Sequence, residues 1–271
     1  MIAKLKRVFQ PSNISLIREL VSSDFKLRYQ GSALGYAWSL LRPLFMFGVL
    51  YIIFTIIFPI NNGVKYPAPY LLFGLVMWQY FVESTVAGMN AITGRADLVR
   101  KVSIPKYTIV LSTNISALIT FLLNMIIVIV FMVFSRVNLH WGMLLTPFFI
   151  VELVALSLSL AFLLSVLFVK FRDFSHIWDV VQQVLFYATP IIFTFSKIPD
   201  RHHFRQLIAL NPLSQIFQDA RAALLGRDTL TTENIFHSSL ALIIPLILIA
   251  LLLTGSALYF RRSSKFFAEE L

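Results

Sequence analysis

The stretch "YTIVLSTNISALITFLLNMIIVIVFMVF", residues 107–134, contains no Asp, Glu, Lys, Arg or His. A helix needs about 20 apolar residues to cross the hydrocarbon layer of a bilayer, so this run alone puts the chain in a membrane. The pattern recurs on both sides of it. Further apolar runs predict helices over 36–59, 70–92, 143–169, 177–195 and 240–260, which with 107–134 makes six spans. Composition agrees: 58% of the 271 residues are hydrophobic, only 13% are charged and 26 are Phe, and the mean hydropathy is +0.79. A soluble domain normally carries about a quarter charged positions. The formal charge of +10 sits in short segments between apolar runs, so topology accounts for it and no nucleic-acid partner is expected.

Sixteen of the 23 Lys and Arg residues fall before Pro43, at 95–106, at 170–172 and after Phe260; seven fall on the other side of the six-span layout. By the positive-inside rule the richer side is cytosolic, which puts both termini in the cytosol. Arg42, near the start of the first span, can extend its head to the interface. "VFQPSN" follows Lys4, Lys6 and Arg7 where a secretory signal would have an apolar core. No internal repeat, low-complexity tract or soluble domain interrupts the chain, so residues 1–271 read as one transmembrane domain.

Two amphipathic segments lie outside the spans. Over 13–29, at 100° per residue, Ile14, Leu16, Ile17, Leu20, Val21, Phe25 and Leu27 share one arc, while Ser15, Arg18, Glu19, Ser22, Ser23 and Lys26 fill the other. This pattern predicts a helix lying flat on the cytosolic surface. Asp24 and Arg28 intrude on the apolar arc four residues apart, placed to neutralise each other or to meet a partner. Between spans five and six, over 197–228, two apolar pieces too short to cross are separated by Asn211-Pro212, which interrupts a helix. A broken, partly re-entrant external hairpin is expected there, with a plain amphipathic loop helix as the alternative.

Several chemistries are absent. There is no Cys, hence no disulfide, thiol nucleophile or Cys-based metal site. The five His are scattered, and no metal site or catalytic triad follows from them. No Gly is followed by Lys, so the phosphate-binding G-x-x-x-x-G-K-[ST] loop is missing. The chain is therefore read as a non-enzyme that needs no cofactor of its own; if ATP drives it, ATP and Mg sit on a separate chain. Such a motor must push on a cytosolic element, and "RADLVRKVSIPK", 95–106, offers one: a short stiff helix ended by Pro105, with Arg95, Asp97, Arg100 and Lys101 available to a partner surface. Its plain alternative is a basic loop that only sets orientation. Glu83, Glu152 and Asp179 are ionisable groups within predicted spans, as proton relays or cavity linings would be. They keep open a transporter driven by an ion gradient.

Taken in order, "RYQGSALGYAWSLLRPL" at 28–44, "RADLVRKVSIPK", "VKFRDF" at 169–174, "FYATPIIF" at 186–193 and "NPL" at 211–213 resemble the ABC-2 type permeases that export polysaccharides, including O-antigen and teichoic-acid exporters. The resemblance implies a six-helix half-transporter in a bacterial plasma membrane. It would pair with a second copy of itself and dock two copies of a P-loop ATPase. It also implies ATPase contacts at Asp24, Arg28, Asp97, Arg100 and Lys101, and a cytosolic mouth at Phe171, Arg172 and Asp173, where Arg172 and Asp173 pair. Tyr36, Trp38, Arg42, Phe186 and Tyr187 would border a path for a lipid-linked polysaccharide. A small lipid or a drug is the alternative cargo within the same family.

Overall fold

Proline sets where two of the long helices begin, because its fixed backbone angle and missing N–H suit a first turn. In the computed structural model, which describes residues 11–29, 35, 37–53, 64–102, 104–195, 204–226, 235–236 and 243–271, Pro67 opens α3 and Pro147 lies in the first turn of α6. Every described element is a helix. In chain order these are α1 (Pro11–Tyr29), α2 (Ala37–Tyr51), α3 (Pro67–Asn90), α4 (Ala96–Lys101), α5 (Tyr107–Phe134), α6 (Thr146–Lys170), α7 (Phe174–Ala188), α8 (Phe204–Ala209), α9 (Pro212–Leu225), α10 (Ile243–Ser263) and α11 (Phe267–Glu270), with short 3-10 turns before α4 and α6.

Among the described residues, four stretches are long and apolar enough to cross a membrane: α3, α5, α10, and α6 with the 3-10 turn that leads into it. They match four of the six expected spans. Of the first expected span, α2 covers Ala37–Tyr51 and residues 54–59 lie outside the described ones. The fifth differs: its helix starts earlier, at Phe174, and stops at Ala188 instead of running to 195. Pro190 is the reason, since its ring disfavours helical geometry at the residue before it, and Thr189 is extended (ψ 138°).

The four differ in burial: 67% of the apolar stretch of α3 is buried and 56% of that of α6, against 33% for α5 and 22% for α10. The least apolar of them, α3, is thus the hub, surrounded by protein, while α5 and α10 turn most of their surface outward. Polar groups on α3 find partners on its neighbours, as hydrocarbon demands. Tyr80 donates to Asn114 Oδ1 (3.1 Å), Asn114 donates to Ser84 Oγ (2.5 Å), and Gln182 of α7 donates to Thr85 Oγ1 (3.3 Å). At Gly88 the backbone of α3 approaches α6 so closely that a Cβ would stand 2.4 Å from that of Ala161. The main apolar core gathers around α3 with α5, α6 and α9. A second cluster closes the opposite end, where Leu20, Ile92, Val99, Val110, Phe162, Val169, Phe260 and Phe267 meet.

Candidate functional site

At this second cluster, α4 has six residues, too few to hold a helix by local bonds alone. Asp97 in its first turn and Arg100 and Lys101 in its last suit the helix dipole, and its end comes where Val102 turns extended, ahead of Pro105. Only Val99 is buried; Asp97, Arg100 and Lys101 all face outward. What fixes the helix is its neighbours. Arg95, the residue before it, pairs with Asp24 of α1 and donates to Ser112 of α5 (3.3 Å), and Ser116 donates to the other oxygen of Asp24 (3.4 Å).

This arrangement bears on the expectations for this end. Arg95, expected to be available to a partner, is instead taken up by Asp24, and the pair ties α1 to the start of α4. The side chain of Arg28, the expected i+4 mate of Asp24, lies outside the described residues. α1 also packs along α5. Asn13 donates to Tyr107 (3.3 Å) and Asp24 accepts from Ser116, so the contacts advance in the same direction along both helices. That is about 16 Å along α1 and about 14 Å along α5 at 1.5 Å per residue, the course of a helix running beside its neighbour.

Phe171, Arg172 and Asp173 form the short link from α6 to α7 at the same end, and all three are exposed. Arg172 does not pair with Asp173; its guanidinium lies over the Phe168 ring, 5.5 Å from the centroid. The ion pair that does form at this end is that of Arg95 with Asp24.

The opposite end holds the group that sequence reading passes over. Arg221, counted there only as a basic residue of the outer loop, is 1% exposed on α9. Its two terminal nitrogens donate to the carbonyls of Pro190 (2.5 Å) and Ile191 (2.7 Å), the backbone that α7 leaves unpaired where it breaks. The guanidinium also lies 3.9 Å from the ring centroid of Tyr70 on α3. Gly74 makes the room: a Cβ there would fall 1.5 Å from Nη2. Tyr70 in turn donates to Gln218 Oε1 (3.1 Å) and lies 3.4 Å from the Phe193 carbonyl. Asn211 completes the junction by accepting from the Leu213 N–H (3.1 Å), which caps α9, and donating to Thr189 Oγ1 (3.2 Å). The "ATP" stretch at 188–190 and the "NPL" stretch at 211–213 are therefore one joint, made across the 22 residues that separate Thr189 from Asn211. Its sequence signal is an arginine on the apolar face of a short helix, four residues after Phe217.

The expected path residues are not gathered within one chain. Trp38 is 49% and Tyr187 73% exposed. Phe186 packs on Trp78 (centroids 5.4 Å) and on Tyr187 (5.3 Å), and no ring contact joins either to Trp38 among the described residues. Tyr36 and the side chain of Arg42 lie outside those residues. Of the acids within the expected spans, Glu152 is buried on α6 and Asp179 is exposed on α7.

Two ends of one helical bundle are thus held differently: an outward charged helix at one, a buried arginine joint at the other. Residues 15–225 match the ABC-2 type transporter family. The chain belongs to that family. This ABC-2 protein is 30% identical over 207 residues to the O-antigen export system permease protein RfbA of Myxococcus xanthus, covering 76% of the chain and 79% of the relative. It is also similar to two proteins of the same description from Klebsiella pneumoniae, 26% and 27% identical over 205 residues, with 74% of the chain and 76% of each relative covered. Family and helices together make it a multi-pass membrane protein. The matched segment includes α4 and ends at Leu225, so both ends of the bundle described above fall within it.

Proposed function

We propose that the chain is the permease of an ATP-driven exporter that carries a lipid-linked polysaccharide, of O-antigen or teichoic-acid type, from the cytosolic to the external side of a bacterial plasma membrane. Two copies form the conduit and two copies of a separate P-loop ATPase drive it. The observation that carries the reading is the α4 face: three charged side chains exposed on a helix tied to α1 and α5, in a chain that lacks a phosphate-binding loop. The names of the relatives support the cargo class.

In this reading the α4 end is cytosolic, in keeping with its basic residues. The first and fifth segments complete six spans, and α8 with α9 form the external broken hairpin, with α9 re-entrant. Irregular backbone at that depth is tolerated because Arg221 and Tyr70 enclose it. ATP binding closes the motor against Asp97, Arg100 and Lys101, and α4 moves as a lever. Arg28, Arg42 and Arg172 attract the anionic head of the lipid carrier. Trp38, Phe186, Tyr187 and Tyr36 border the sugar path once a second copy supplies the facing wall, while Phe171, Arg172 and Asp173 rim its mouth. Keeping the sugar between protein walls avoids the cost of bare hydroxyls in hydrocarbon.

Reconstitution tests this. Vesicles holding the chain and its ATPase should export a lipid-linked O-antigen glycan only with ATP. Export by the chain alone, tracking pH or sodium, would refute it in favour of an ion-gradient transporter.

A further inference from the structure

Residues 264–271 follow the last span and carry no part of the reading above, yet they are held tightly. A terminal segment frays unless something ties it down. Here Phe267 is fully buried, its ring 5.5 Å from that of Phe260 at the end of α10, in the same apolar cluster as Val99, the buried residue of α4. Leu271 packs against that cluster too. Lys106, just before α5, donates to the carbonyl of Ser264 (2.7 Å). The neighbouring Glu269 and Glu270 are exposed.

Consider what this does to α4. One flank is fixed to α1 by Arg95 and Asp24, a polar tie. Its apolar side offers buried Val99 and partly buried Leu98 to the cluster, and α11 joins the same cluster through Phe267. Without Phe267 the cluster beneath α4 loses its largest side chain from the α11 side, and a six-residue helix has little else to keep its angle. With Phe267 in place, a push on α4 is passed to Phe260 and so to α10. We propose that Phe267 is a positioning residue for transport: it braces the coupling helix from beneath and makes α10 move with it. This rests on the permease reading for its consequence in export, though not for the brace itself.

The test compares Phe267→Ala and Phe267→Leu in the complete complex with its ATPase in nanodiscs or vesicles. For Phe267→Ala, the ATPase should stay bound and hydrolysis stay within about twofold, while glycan exported per ATP falls about tenfold and the amides of 96–101 exchange at least about tenfold faster. Phe267→Leu, which refills most of the space, should recover export per ATP to within about threefold of the parent. Should Phe267→Ala fail to insert, Lys106→Met, which cuts the other tie to the tail, should lower export per ATP about threefold. Full coupling in Phe267→Ala, unchanged exchange at 96–101, loss of ATPase binding that Leu does not restore, or full coupling in Lys106→Met would each overturn the proposal. The parent complex is the control that separates the two ideas: if it exports no glycan, the permease reading fails, while exchange at 96–101 still reports on the brace.

Discussion

Replacing Arg221 by Leu removes both donors from the broken backbone after α7. A buried carbonyl left without a partner costs about 1–3 kcal/mol, so the two together cost about 2–6 kcal/mol. Loss of the Tyr70 ring contact adds about 2 kcal/mol in a dry site. Working the other way, a buried charge disappears, and its desolvation was worth several kcal/mol. The net expectation is a destabilisation of about 2–4 kcal/mol. At roughly 2–4 °C per kcal/mol, the melting temperature of the nanodisc-held protein should fall by about 4–16 °C. Gly74→Ala gives the decisive comparison. The added Cβ would stand 1.5 Å from Nη2, so the guanidinium must leave its place, at a similar cost. Combined with Arg221→Leu, however, the methyl meets a short side chain and no clash remains. The double variant should therefore melt close to Arg221→Leu alone, a coupling of about 2–4 kcal/mol. Strict additivity, or a melting point for Arg221→Leu within about 1 °C of the parent, would refute the joint.

Reversing the exposed charges at Arg100 and Lys101 to Glu should weaken ATPase co-purification or export per ATP by about tenfold or more, with melting within about 1 °C, because neither side chain is packed. Asp24→Asn should lower export per ATP a few-fold, and exchanging the pair as Asp24→Arg with Arg95→Asp should restore at least about half of the loss; no restoration would show that the ion pair is not what ties α1 to α4. Gly88→Ala should cost about 1–3 kcal/mol through crowding against Ala161, measured as a drop in melting temperature that Ala161→Gly in the same chain largely relieves.

How far the sequence alone reaches can be judged element by element. The run at 107–134 and its three counterparts are legible because length and apolarity are local properties, and the charge-free run at 107–134 has no soluble alternative. The Asn211-Pro212 break and the stop ahead of Pro105 are legible for the same reason: proline acts on its immediate neighbours. The fifth span is misjudged at its outer end because a count of apolar residues runs straight through Thr189-Pro190, although proline chemistry marks the break. Asp24 with Arg95 is invisible to such reading, since a pair 71 residues apart depends on how α1 packs against α5. Arg221 looks like any loop cation until the carbonyls it serves, and the glycine that admits it, are seen around it. Phe267 resembles a stray apolar residue after a basic run, and only the cluster beneath α4 gives it a role.

The early stop of α7 also bears on the lipid beside it. In the permease proposed above, where α7 is the fifth span, fifteen helical residues rise only ~22 Å against ~30 Å of hydrocarbon, a shortfall of ~8 Å on that side of the bundle. Acyl chains abutting α7 would then shorten or tilt to match it, thinning the bilayer there. A carrier lipid whose tails stay in the membrane while its head moves from leaflet to leaflet would find its shortest crossing along this wall.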